Sequence, residues 1–350
     1  MPLWLKRDYK AVSYALASAV LGLIFMRLIV YFAALPSETY GQSLGSSALF
    51  SLCAQLIFFL AVPFCIYKVY GKRTVRQTLE FSSVGGFKWY YLLAVPLGIS
   101  VYFLTIGVSS AWTAFLKLTG YTVASSSADM PESFVFGFFV ADVLLTALLP
   151  AICEEFVMRG GLLTTARRSF GDTFCIVLFA VIFGLFHQNI RQVFYTALFG
   201  ALAVYLTLRT KSLFPAMLMH FTNNFCSVFI DYAVNYGWAF GGGLYDVLGL
   251  MPVWVLALVF LAVGLFGAAM VVIMMYLRDR RNIKKKRRLL IRYAFDMEAV
   301  RAAEEQSGIA AESVDEPLYK PSLRDAALII ALGVVALCTT VFTYVWGFFY

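Results

Sequence analysis

Charge is what this sequence has least of. Asp, Glu, Lys and Arg together make 14% of the 350 residues and hydrophobic residues 61%, against about 25% and 45–50% in soluble domains. That balance excludes one large water-soluble core. There is no Cys-x-x-Cys pair, and the cysteines (Cys53, Cys65, Cys153, Cys175, Cys226, Cys338) all lie within or at the edge of apolar runs, so a disulfide framework is not expected. Internal repeats, a Walker loop, a Gly-x-Gly-x-x-Gly fingerprint, His-Glu-x-x-His and low-complexity tracts are also missing. Gly241-Gly242-Gly243 follows no strand pattern and reads as a flexible outer loop, not a phosphate cradle. Histidine is the rarest chemical group, with two copies, His187 and His220.

What is there is a series of long apolar runs. A membrane span needs about 20 apolar residues, and runs of that kind fall near 11–34, 47–67, 88–112, 133–158, 173–190, 192–208, 212–232, 252–276 and 325–347. The fold class expected is all-α, a polytopic transmembrane helical bundle of about eight to nine spans. Lys6, Arg7 and Lys10 precede the first run, but Ala15-Leu-Ala17 opens that run where a cleavage site would close it, and the run continues to Leu35. It is read as a retained span, not a signal peptide.

The net charge of +8 does not point to nucleic acid, because the basic residues sit in short gaps between runs and in one cluster from Arg278 to Arg288. With the N-terminus cytoplasmic, inner gaps hold Lys72, Arg73 and Arg76, then Arg167 and Arg168, then Arg209 and Lys211, then the Arg278 cluster. Outer gaps hold few basic residues: Glu38 stands in one, Lys117 with Asp129 and Glu132 in another, Asp231 and Asp246 in a third. Arg191 alone runs against the bias. A multi-pass protein of the plasma membrane with a cytoplasmic N-terminus is therefore expected. The divisions are N-terminal spans over 1–132, a core over 133–232, an outer loop and span over 233–276, a polar cytoplasmic segment over 277–322, and a last span over 323–350. The 277–322 segment is basic at first and acidic from Glu298 through Glu316. Its basic start serves as a topology signal and is a candidate contact for anionic lipids at 278–288.

Three short patterns place ionisable groups inside apolar runs, where such residues face a protein interior and mark function. In Glu154-Glu155-x-x-x-Arg159, helical spacing pairs Glu155 with Arg159 and turns Glu154 about 100° away. One carboxylate is neutralised and the other left for chemistry. Pro150 upstream removes a helix hydrogen bond and kinks the segment. Phe183-x-x-x-His187 and His220-x-x-x-Asn224 each put two groups on one stripe. At 1.5 Å per residue, Glu154 lies about 20 Å from the Arg167 end, His187 about 22 Å from Asp172, and His220 and Asn224 about 14 and 20 Å from Lys211. All four are expected to meet near mid-membrane. Arg27 and Asp142 are expected to pair within the bundle or lie near an interface.

These three motifs, in this order on consecutive spans, resemble those of the CPBP family, the CAAX proteases and bacteriocin-processing enzymes also called Abi. The resemblance covers roughly 133–230 and implies a CAAX-protease-like core and intramembrane endoproteolysis of a membrane-associated or lipidated protein or peptide. The basic loop and last span are not part of the signature.

Hydrolysis needs an activated water and a stabilised oxyanion. Glu154 with His187 suits the first task, since a carboxylate in a low-dielectric cavity is a stronger base than one in water. His220 and Asn224 suit the second as hydrogen-bond donors, with Glu155, Arg159 and Phe183 in support. A zinc site built from Glu154, His187 and His220 with an open position is the competing scheme. It leaves Asn224 without a role and asks one carboxylate to be both ligand and base, so the scheme without a cofactor is preferred. Two other functions fit the same residues: a non-catalytic immunity or scaffold protein binding a peptide or partner in the cavity, and a proton-coupled transporter. Transport is disfavoured because two similar halves with interrupted helices are not evident.

Overall fold

The computed structural model describes residues 3–34, 52–72, 74, 87–121, 130–167, 170–239, 243, 247, 249–251, 253–292 and 323–346. Among these the regular elements are all helices, with no strand. A helix closes its own backbone hydrogen bonds, the requirement that lipid imposes on any segment crossing it. We number them α1 (Leu3–Ala34), α2 (Gln55–Tyr70), α3 (Trp89–Leu118), α4 (Phe136–Ala166), α5 (Asp172–Phe186), α6 (Val193–Thr210), α7 (Phe214–Asn235), α8 (Val253–Arg292) and α9 (Leu323–Trp346).

Each expected apolar run holds one of these nine helices, in order. Five segments are long and apolar enough to cross a membrane: α3, α4, α6, Leu258–Asn282 of α8 and Ala327–Val345 of α9. Shorter apolar helices are Lys10–Gly22 of α1, α2 and α5. α7 is long enough, but His220, Thr222, Asn223, Asn224 and Asp231 dilute its apolar content. The chain is an integral membrane protein. Large apolar side chains point outward along it, among them Val177 at 60% exposure and Leu265 at 64%, which water would penalise and lipid does not.

One boundary differs from expectation. α5 stops at Phe186, so His187 caps the helix and does not lie within it. Its 15 residues reach about 22 Å at 1.5 Å per residue, short of the roughly 30 Å hydrocarbon core. α8 runs unbroken to Arg292, so the polar segment begins as a continuation of the span. The expectations placed on Glu38, Arg73, Arg76, Asp129, Arg168, Gly241, Gly242, Asp246, the Arg27 side chain and residues 293–322 lie outside the described residues.

α4 is the central helix. It is not a regular α-helix throughout, since wider turns that close on the fifth residue occupy Val143–Leu148 and Phe156–Leu162, flanking the α-helical Leu149–Glu155. Such turns are rare and gather at functional sites. Pro150 stands at the start of the middle stretch, where its missing N–H coincides with the change of winding. α2 packs on α4 through Tyr67, whose phenol lies against Gly161; a Cβ there would meet Tyr67 Oη at 1.7 Å. On the other side α3 backs α7 closely, because a Cβ at Gly98 would stand 2.7 Å from Met219 O. α8 then runs antiparallel along α3, with Gly107 facing Phe260, Gly264 facing Leu104, and Gly267 facing Ser100 and Leu97. Extending that register brings Lys88 to the Arg278–Arg281 turn of α8.

Candidate active site

The buried charges of α4 sit where its winding changes. Glu155 and Arg159 are fully buried, and Arg159 Nη1 donates to Glu155 Oε1 at 3.1 Å. A turn that closes on the fifth residue brings positions i and i+4 nearer to alignment than an α-turn does, which favours this pair. The guanidinium also stacks over the Phe183 ring, 4.2 Å from its centroid, and Nη2 donates to Gly200 O at 3.4 Å. Phe183 belongs to α5 and Gly200 to α6. α6 comes this close because Gly200 has no Cβ, which would stand 2.8 Å from Phe183 Cβ.

His220 of α7 joins the same carboxylate. Its Nδ1 lies 2.9 Å from Glu155 Oε1, and since an ionised carboxylate can only accept, Nδ1 carries the hydrogen. The imidazole packs edge-on to Phe199 at 4.8 Å and lies 6.3 Å from Phe183. Glu155, Arg159, Phe183 and His220 thus form one contiguous buried group drawn from α4, α5 and α7, with α6 closing it through Phe199 and Gly200.

Glu154 is held separately. It is 8% exposed, and its Oε1 accepts a hydrogen bond from Gln55 Nε2 of α2 at 3.0 Å. Its Oε2 is buried with no hydrogen-bond partner among the described residues. His187 packs edge-on to Phe183 at 4.9 Å and places Nδ1 2.9 Å from the Phe183 carbonyl. A carbonyl only accepts, so Nδ1–H caps the C-terminal end of α5 and a neutral ring keeps its lone pair on Nε2.

Asn224 donates from Nδ2 to Thr146 O at 3.1 Å and accepts at Oδ1 from Asn223 Nδ2 at 3.0 Å. The first bond has a local cause. Thr146 O lies four residues before Pro150, whose lack of an N–H rules out an α-turn closing on it, and it accepts from the Asn224 amide. One N–H of the Asn224 amide is therefore committed to the scaffold. Asp142 accepts from Tyr232 Oη at 2.6 Å, a bond within the bundle.

Gln55, Thr146, Phe199 and Gly200 were not legible as site residues from the motifs. Gln55 did carry a signal, being the one carboxamide in the apolar run from Leu52 to Ile66, a residue type that is costly there without a partner. The other three carried none.

Among the described residues, no three His, Cys, Asp or Glu side chains are gathered as a metal site requires. The set Glu154, His187 and His220 does not fit a zinc ion in this arrangement, and no step below runs through one.

Residues 136–226 match the family model described as Type II CAAX prenyl endopeptidase Rce1-like, about a quarter of the chain. The match spans α4 to the middle of α7 and contains all three motifs. This stretch is thus similar to a CAAX-type protease domain, in keeping with the CPBP resemblance of its motifs. No curated protein and no solved structure matches the chain.

Proposed function

We propose that the protein is an intramembrane endopeptidase that hydrolyses a peptide bond of a membrane-associated or lipidated protein, with Glu154 as general base. One observation carries this reading: two adjacent carboxylates are wired differently. Glu155 has a guanidinium and an imidazole on its Oε1. Among the described residues Glu154 has a neutral amide as its one hydrogen-bond partner, with Oε2 unbonded. The first arrangement builds structure, and the second leaves a carboxylate able to accept a proton. Support from outside the geometry is the Rce1-like match.

In the mechanism, a water held by Glu154 Oε2 and His187 Nε2 attacks the scissile carbonyl carbon. Its proton passes to Glu154 as the C–O π pair moves onto oxygen. The oxyanion takes hydrogen bonds from His220 Nε2–H and from the second N–H of Asn224. Collapse expels the amine, which leaves with the proton held by Glu154. When Glu154 becomes neutral, the negative charge has moved to the substrate oxygen, opposite His220.

The N-terminus and the basic end of α8 belong on the cytoplasmic face of a plasma membrane in this proposal, and anionic lipid headgroups are the partners of the 278–288 cluster. The test compares membrane proteomes from cells carrying the wild-type chain or Glu154→Gln. Proteins with newly trimmed C-termini only in the wild-type cells are expected. Identical termini, with any biological activity kept by Glu154→Gln, would instead establish a non-catalytic immunity or scaffold role.

A further inference from the structure

We infer that Gln55 of α2 is a positioning residue for Glu154, holding one carboxylate oxygen so that the other faces the reacting water. The inference rests on the general-base reading of Glu154 and adds a residue from outside the 136–226 segment that carries all three motifs.

The bond itself is direct: Nε2 to Oε1 at 3.0 Å between residues 99 positions apart, both 8% exposed. Glu154 has three side-chain torsions and no other hydrogen bond among the described residues. Without Gln55 nothing polar restrains them, and a base must sit within hydrogen-bond reach of the proton it takes. The chemistry of the partner matters as much as its presence. An arginine in this place would form an ion pair and hold the carboxylate in its charged form, weakening it as a base. A carboxamide donates a hydrogen bond without a charge, so it orients the group without an ion pair.

α2 is a firm platform for this. Tyr67 is wedged against Gly161, Phe64 and Tyr67 each lie 6.3 Å from Phe156, and Phe59 meets Phe186 edge-on at 5.1 Å. An aliphatic side chain at position 55 would bury more cheaply than an amide, whose Oε1 is itself buried without a partner among the described residues. The bond to Glu154 is therefore what the amide contributes at this position.

The test uses the full chain in detergent with a farnesylated Cys-a-a-X peptide carrying a quenched fluorophore, and infrared difference spectra in which the Glu154 carboxylate bands are assigned against Glu154→Gln. Gln55→Met keeps length and packing but cannot donate. Gln55→Asn keeps the amide but withdraws it by one methylene, and is the second variant should the first fail to fold. For either we expect kcat to fall about 10- to 100-fold, KM to stay within about twofold, and the Glu154 bands to move. Wild-type kcat in both variants, a loss confined to KM, or unmoved bands would overturn the inference. A wild-type chain that leaves the peptide intact would overturn the general-base reading and the inference with it; bands that still move would then show that the bond exists for another purpose.

Discussion

Replacing Arg159 by methionine tests the buried charge group most severely. The guanidinium is fully buried and bonded to Glu155 Oε1, stacked over Phe183 and bonded to Gly200 O. Removing it leaves Glu155 with His220 as its one remaining hydrogen-bond partner among the described residues. Breaking a buried ion pair from one side costs about 3–5 kcal/mol, and the lost cation–π contact is about 0.5–2 kcal/mol of comparable measurements. Methionine fills part of the volume, so the electrostatic loss dominates. A fall in melting temperature on the order of 5–10 °C follows. Thermal unfolding in detergent can be followed with a thiol-reactive dye, because Cys153 and Cys175 are fully buried. The companion is Glu155→Gln with Arg159→Met, which removes both members of the Glu155–Arg159 ion pair while the residue 155 oxygen can still accept from His220. The double variant should recover about 2 kcal/mol or more relative to the sum of the two singles. Arg159→Met melting within about 1 °C of wild type, or strict additivity, would refute the assignment of this pair as a coupled buried charge.

Three further outcomes are expected. Gly161→Ala should destabilise the chain, because its Cβ would overlap the Tyr67 hydroxyl, and Tyr67→Phe in the same chain should restore part of the loss; both melting temperatures check it. In a cysteine-free background, Lys284→Cys should react with an impermeant maleimide only after the membrane is opened and Glu132→Cys should react in intact cells; the reverse pattern would invert the topology. The Lys88 ammonium is held below the ordinary lysine range, first by burial and then by Arg281, Lys285 and Arg278. The unfolded chain therefore binds that proton more tightly, and stability should rise as pH climbs toward the ordinary lysine value. At neutral pH, nanodiscs containing phosphatidylglycerol should raise the melting temperature over phosphatidylcholine alone, and Lys88→Met should shrink that difference.

The fold was legible where composition alone decides. A run of about 20 apolar residues has few solutions in lipid, and one helix stands in each expected run. The Glu155–Arg159 bond was legible because it is local, set by helical spacing. What failed to show was whatever depends on a neighbour distant in the chain or on departures from α winding. Nothing in the Glu154 motif points to Gln55, 99 residues away, and no residue pattern announces the two wide turns of α4. The spacing placed His220 and Asn224 on one stripe but did not reveal that His220 would share Glu155 with Arg159. Nor did it reveal that Asn224 would bond the Thr146 carbonyl, four residues before Pro150, although the proline was visible. The end of α5 at Phe186 was missed because Phe, His and Gln carry no stop signal of the Gly or Pro kind.

The two wide turns of α4 also act on register. Each takes in an extra residue without adding a turn, and one residue of helix is about 100° of azimuth. They lie on either side of Leu149–Glu155, so they behave like a pair of vernier rings, one setting the bearing of the Glu154–Glu155 pair relative to the entry of the helix and the other resetting it toward the exit. Deleting a single residue within Val143–Leu148 would leave every motif intact as text and yet swing both carboxylates by about 100° in the same sense, carrying Glu155 to the bearing Glu154 now holds and Glu154 to that of Cys153. Spacing between α4 and its neighbours is thus protected twice, by the letters of the motif and by the count of residues ahead of it.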